Sequence, residues 1–305
     1  MKQTEITTTK QATKDLIFAY SWEQKKNGYS ESTIRTTTQR LKTLSKLCDI
    51  REPEELKETI AKQEWSIRTK KTVADLLNNF VKFLGKEWKK PIYRPPEKLP
   101  FIPTEEELDT LISATPRKII SCLLQFLKET GARIGEATQL EWLDIDFERR
   151  IVHITPEKHS NARFLPLSHQ LLNMLNKLER KSEYVFKPPS KKALRESFRK
   201  MRNKTAKKLQ NPRLKKIKFH TFRHWKGTIE YHKTKSIMHV KKILGHKSVL
   251  STQLYINIEA SIFQYSNDEY NSAVAKTVQE AQKLIECGFE YVTEMDGVRL
   301  FRKRK

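Results

Sequence analysis

Thr130-Gly131-Ala132-Arg133-Ile134-Gly135-Glu136 is the stretch on which the reading of this chain turns. A strongly apolar segment carrying Ile119, Ile120, Leu123, Leu124, Phe126 and Leu127 runs up to it at helical spacing, and Gly131 is placed to stop that helix. Arg133 follows the stop, and Glu136 comes one helical turn later. A guanidinium there can fork onto two oxygens of a phosphate while the carboxylate orients it. Taken singly, such an arginine is far more often an ordinary surface group.

Upstream, Thr104-Glu105-Glu106-Glu107 is a capping-box pattern that opens the unit containing this helix. Pro91, Pro95, Pro96, Pro100 and Pro103 precede it, in a stretch that can be neither helix nor central strand and reads as a stiff linker, 91–103. Residues 1–90 read as a small helical domain. Gly28-Tyr29-Ser30 breaks the chain, and Ser30 caps a helix with Ile34, Leu41 and Leu44 on one face. A second amphipathic stretch carries Ile67, Val73, Leu76, Leu77, Phe80, Phe83 and Leu84. Arg35, Arg40, Lys42, Lys46, Arg68, Lys70 and Lys71 give these helices basic faces suited to DNA contact; solvated helix surfaces are the plainer reading.

Downstream, Trp142 to Thr155 and Phe164 to Leu167 alternate as strands, with the Pro156–Ala162 turn and its Lys158 between them. Helices dominate from Leu171 to about Asn267. Between Lys187 and Lys218 stand fourteen Lys/Arg against one acid, Glu196, a net of +13. Lys191, Lys192, Arg195, Arg199, Lys215 and Lys216 belong to this segment, read as a phosphate-tracking helix and loop in preference to a disordered basic loop. The end of the chain reads as a helix (Ala273 to Cys287), a hairpin (Phe289 to Phe301) turning at Asp296-Gly297, and a basic tail, Arg302 to Lys305. The expectation is therefore a mainly α protein with a small antiparallel sheet (α+β). Its parts are a helical domain (1–90), a linker (91–103), a mixed domain (104–265) and a C-terminal segment (266–305).

Composition narrows the function. The 305 residues carry a net charge of +24, which favours a polyanionic partner through release of that partner's counterions. No apolar run of about 18 residues is present to span a bilayer, and Met1 to Lys14 has no apolar signal core. Cys48, Cys122 and Cys287 lie far apart, in odd number and in no metal-ligand spacing, which reads as buried thiols in a reduced, intracellular compartment. His220 and His224 have i,i+4 spacing, but Arg223 between them would repel a cation and no acidic or cysteine cluster accompanies them. No Walker-type glycine loop is present, so neither metal nor nucleotide cofactor is expected.

What remains is an ordered set: Arg133, Lys158, His220, Arg223, His246 and Tyr255, with Glu136 in support. Two arginines to neutralise a phosphodiester, a lysine and histidines to move protons, and a phenol to carry the phosphoryl group are what metal-free phosphoryl transfer on DNA needs. The quoted stretch, Lys158 five residues before Arg163, His220-Thr221-Phe222-Arg223-His224, Leu244-Gly245-His246-Lys247-Ser248 and Ser251-Thr252-Gln253-Leu254-Tyr255 together resemble the tyrosine recombinase (integrase) family. Ser30 to Arg40 looks like the start of the second helix of that family's core-binding domain, so the likeness covers roughly residues 10 to 262.

The resemblance implies a C-shaped clamp, a helical core-binding domain and a catalytic domain closing on double-stranded DNA at a specific site. The chain would act as a homotetramer in the synaptic complex and be a monomer or dimer when free. It also implies that Tyr255 attacks the scissile phosphate to give a 3′-phosphotyrosyl link, that Arg133 and Arg223 bind the nonbridging oxygens, and that Lys158 protonates the 5′-oxygen. His220 would help deprotonate the phenol and His246 would hydrogen-bond the phosphate. Two features depart from the pattern: Trp225-Lys226 stand where the family has small residues, and fifty residues follow Tyr255. Glu280 to Lys305 looks similar to tails of archaeal integrase-like members. A mobile-element integrase and an Xer-type dimer resolvase both fit; a type IB topoisomerase and a non-catalytic DNA-binding protein of the same fold are the alternatives.

Overall fold

The structure, a computed structural model, describes residues 2–157, 160–263, 270–295 and 297–304. It divides between Lys98 and Leu99, inside the proline-rich stretch, into two units. The first holds four helices, α1 (Lys2–Lys26), α2 (Glu31–Leu44), α3 (Pro53–Lys62) and α4 (Ile67–Phe83). Local chemistry sets their starts. Ser30 accepts from Thr33 N at 3.3 Å and Ser66 from Thr69 N at 3.2 Å, while Pro53 opens α3, where its missing N–H costs nothing. Ile17, Tyr20, Leu41, Leu44, Leu56, Ile60, Val73, Leu77 and Phe80 form the core. Ile67, expected on the buried stripe, is exposed because it is the first residue of α4, ahead of the packed turns.

The second unit opens on the capping box: Glu107 N donates to Thr104 Oγ1 at 3.2 Å, and Thr104 N donates to Glu107 Oε2 at 2.9 Å. This starts α5 (Glu105–Ser113), followed by α6 (Lys118–Thr130) and the short α7 (Ile134–Thr138). Gly131 ends α6 in the left-handed region, at φ 61°, which strains any L side chain. Strands β1 (Ile145–Asp146), β2 (Ile151–Ile154) and β3 (Arg163–Pro166) form an antiparallel sheet in that order, with Ile154 opposite Arg163. Trp142–Asp144, expected as strand, is a 3-10 turn instead, closed by Asp144 N donating to Glu141 O at 3.1 Å.

Helices α8 (His169–Asn176), α9 (Lys191–Lys208), α10 (Phe219–Thr234), α11 (Ile237–Leu244) and α12 (Leu250–Ile262) follow. One apolar core, including Leu124, Phe126, Val152, Leu171, Phe186, Phe198 and Phe222, joins α6, the sheet and α8 to α10. Trp225 drops into that core beneath Lys128, whose Nζ lies 5.4 Å from the ring centroid; that is where this chain places the bulk the family pattern lacks.

The C-terminal segment corrects two expectations. Ala273 to Ala275 are not helical: they belong to β4 (Tyr270–Ala275), and the helix α13 runs only from Val278 to Glu286, started by a Thr277–Glu280 capping box. Arg302 to Arg304 are not a tail but the end of β6 (Val298–Arg304), which lies between β4 and β5 (Glu290–Met295). Pairing explains both changes, since Ala273 faces Phe301 and Val274 faces Leu300 across β4–β6. The expected hairpin is β5–β6; Gly297 has φ 72°, and Asp296 lies outside the described residues. Ala275, Ala281 and Phe301 form its small core. Of the three thiols, expected buried, Cys122 is buried, Cys48 half-buried and Cys287 exposed at the end of α13. No described helix is long and apolar enough to cross a membrane.

Candidate active site

Arg223 is a deeply buried charge, 1% exposed on the buried face of α10. Its Nη1 donates to Gly131 O at 2.9 Å and its Nη2 to Leu244 O at 2.6 Å. Both carbonyls lie at helix C-termini, of α6 and α11, where the last C=O groups have no helical partner and the helix dipole is negative. The two helix ends thus hold a cation that has no carboxylate hydrogen-bonded to it among the described residues. Burial and the neighbouring Arg133 lower the Arg223 pKa to about 10, which leaves it charged at neutral pH.

Arg133 reaches the site from the turn ahead of α7. Its backbone N–H donates to Glu136 Oε2 at 2.9 Å, and its Nη1 donates to Glu136 Oε1 at 3.1 Å and to Ser160 Oγ at 2.9 Å. Glu136 (2% exposed) is in turn held by Arg163 (5% exposed), whose Nη2 donates to Oε2 at 2.7 Å. Burial pushes the Glu136 pKa up, but the hydrogen bond and charge of Arg163 outweigh it and hold the carboxyl below its usual range. Arg133 is therefore oriented by an anion whose own charge is balanced elsewhere, and it stays partly open to an incoming oxygen.

His246 follows Gly245, which ends α11 at φ 67°. Gly245 N donates to Lys242 O at 3.1 Å and His246 N to Lys241 O at 3.0 Å, a Schellman closure that aims the imidazole. His246 Nδ1 lies 2.8 Å from Thr252 Oγ1. When that hydroxyl donates to Nδ1, Nε2 carries the proton and can donate to a phosphate. Burial first, then Arg223 and Arg133, lower the His246 pKa to about 3, so the ring is neutral at pH 7. His220, at the open rim, is shifted down by partial desolvation and the same two arginines.

Tyr255, on α12, is 2% exposed; its ring lies nearly parallel to that of His246, with centroids 6.4 Å apart, and 6.2 Å from that of His224. Burial raises the phenol to about 12 against the opposing pull of Arg223 and Arg133. The ring rests on the backbone of α10 at Gly227, where an added Cβ would lie 2.5 Å from Tyr255 Cζ. Alanine is ordinarily the better helix former by about 1 kcal/mol. Here, Gly227→Ala is expected to displace the phenol and slow its chemistry about 10²-fold, the scale of a 1 Å misplacement. Adduct formation on DNA at unchanged duplex affinity measures this; wild-type rates would mean the resting contact is irrelevant to reaction.

A family model described as the phage integrase family matches residues 103–261. The chain belongs to that family, the tyrosine recombinases. The recombinase is 30% identical over 213 residues to tyrosine recombinase XerA of Pyrococcus furiosus, covering 64% of this chain and 72% of that protein. It is 28% identical over 144 residues to a probable integrase/recombinase of Methanocaldococcus jannaschii, 44% of each chain. Its fold is that of the Tn1549 transposon integrase solved with transposon right end DNA (TM-score 0.64, 15% identity, 89% of this chain and 98% of that one). It is also that of a lambda integrase tetramer bound to a Holliday junction (TM-score 0.60, 16% identity, 77% of each).

Of the residues singled out in the recombinase sequence, Glu136 on α7, His220 and Arg223 on α10 and Tyr255 on α12 come together with Arg133 from the turn ahead of α7 and His246 from the turn after α11, and Lys158 lies outside the described residues. The basic candidates divide. Arg35, Lys42, Arg68, Lys192, Arg195 and Lys215 are exposed. Others are engaged: Arg40 lies 5.7 Å over Trp65, Lys70 donates to Ala61 O at 2.8 Å, Lys191 pairs with Glu157, Arg199 chelates Glu196, and Lys216 lies 5.5 Å over Phe101. Sequence reasoning passed over Arg163, Ser160, Thr252 and Gly227. Arg163 could have been found, because it shares strand parity with inward-facing Leu165 and Leu167, and a charge there needs a buried partner.

Proposed function

We propose that this recombinase cuts and rejoins duplex DNA at a specific site through a tyrosine–DNA ester. The phenolic oxygen of Tyr255 attacks the scissile phosphorus, and the 5′-oxygen leaves, taking a proton from Lys158. Arg133 and Arg223 neutralise the nonbridging oxygens as charge builds on them. His246 donates to one of those oxygens and neutral His220 accepts the phenolic proton, lowering the barrier set by a pKa of about 12. Because the phosphoryl group stays bonded to tyrosine, a second 5′-hydroxyl can reverse the step and rejoin strands without a nucleotide. Homotetramers on two duplexes and a cytoplasmic, DNA-associated location complete this reading. Strand exchange rather than supercoil relaxation is favoured, because the relatives it matches are named recombinases and integrases.

The observation that carries the proposal is the convergence of Tyr255 from α12, Arg223 and His220 from α10, His246 from the turn after α11 and Arg133 from the turn ahead of α7. Its test is covalent capture. Wild-type protein incubated with nicked duplexes carrying a randomised core should retain a DNA fraction that resists denaturant, and sequencing that fraction identifies the cleavable site. Tyr255→Phe should retain none while binding the recovered duplex with wild-type affinity. An adduct that persists in Tyr255→Phe would assign the nucleophile elsewhere.

A further inference from the structure

Arg133 and His220 border more than the site just described. They also edge a neighbouring cleft of about 560 Å³ whose other walls include Arg195 and Arg202 on α9 and Lys218 just ahead of α10. Arg202 is 9% exposed. Its Nη1 donates to Ile217 O, its guanidinium lies 5.9 Å from the Phe198 centroid, and its Nε–H is buried with no partner among the described residues. No carboxylate pairs with it there either. A buried cation left this way is an electrostatically incomplete arrangement, stabilised when an anion arrives.

The protein already places anionic oxygens in this cleft. Glu157, from the β2–β3 turn, lines it, ion-paired with Lys191 on α9. Its carboxylate lies so close to the backbone of α7 that a Cβ on Gly135 would sit 1.5 Å from Oε2. Gly135 thus leaves room for an oxyanion against the first turn of α7, beside Arg133. A DNA strand carries one phosphate for about every 3.4 Å of helix axis, so a strand held at Arg133 must set its next phosphate close by.

We propose that this cleft binds the backbone phosphate adjacent to the scissile one, with Arg195, Arg202 and Lys218 as its donors and Glu157 as the group it displaces. The proposal rests on Arg133 holding the scissile phosphate, and it adds a second anchoring point that sets which phosphodiester meets Tyr255.

The test replaces single phosphates flanking the cut with neutral methylphosphonates in the suicide duplex recovered by covalent capture. Neutralising one flanking position should slow wild-type adduct formation about tenfold, in the range of a single coupled contact. Arg195→Gln and Lys218→Gln, both at exposed positions and so safe for folding, should slow cleavage of the all-phosphate duplex by a similar factor. They should lose less than about twofold more at that one methylphosphonate, while remaining sensitive at the others. If no flanking position matters to the wild type, or if the losses from variant and methylphosphonate multiply, the cleft is not a phosphate site. Absence of any wild-type adduct on the unmodified duplex would instead remove the phosphotyrosyl chemistry, and this proposal with it.

Discussion

Arg223→Ala should form the covalent DNA adduct about 10²–10³-fold more slowly than wild type, the loss expected for one positioned transition-state donor. The reason lies in how the guanidinium is held. Its two Nη groups are tied to the Gly131 and Leu244 carbonyls, which orient it but do not neutralise it. Nearby Glu136 spends its oxygens on Arg163 and Arg133. The positive charge is therefore available in full to a phosphate, in surroundings dry enough to bring the pKa down to about 10. Arg223→Lys should rescue little, because an ammonium cannot bridge two helix ends and a phosphate in one plane. Duplex affinity, spread over many basic residues, should change far less than the rate. A loss of adduct formation smaller than tenfold in Arg223→Ala would take this residue out of the chemistry.

The end of α6 and the start of α5 could be read in advance because a glycine and a cap announce them: Gly131 sits where a helix must end, and Thr104 and Glu107 where one must start. What could not be read was anything depending on which ends meet. That the carbonyls of Gly131 and Leu244 would converge on Arg223 is a property of α6 and α11 packing around α10, with no local signal. The Tyr255–Gly227 contact is of the same kind: glycine inside a helix reads as a weak point until a ring is found lying on it. The strand β4 was missed because Ala273-Val274-Ala275 suits helix or strand, and its partner β6 lies beyond an intervening helix. Arg302 to Arg304 carry the charge pattern of a tail, and only their pairing with β4 and β5 makes them strand.

Glu136 carries the largest expected cost in stability. Removing it in Glu136→Ala leaves Arg163 buried, with its Nη2 donor newly unpaired and its Nε–H already without a partner. Breaking a buried pair from one side costs about 3–5 kcal/mol. In a unit of this size that corresponds to a fall in melting temperature of roughly 6–20 °C. The decisive comparison is the double variant Glu136→Gln with Arg163→Met. Replacing both charges removes the orphaned cation, so most of the lost stability should return. Adduct formation should not return with it, because Arg133 Nη1 still lacks the carboxylate that aims it and keeps only Ser160. Melting curves and adduct rates measured on wild type, Glu136→Gln, Arg163→Met and the double variant separate the two roles. Recovery of both together would reduce Glu136 to a structural counter-ion. Recovery of stability alone makes Glu136 the group that aims Arg133 at the phosphate, a role separate from its pairing with Arg163.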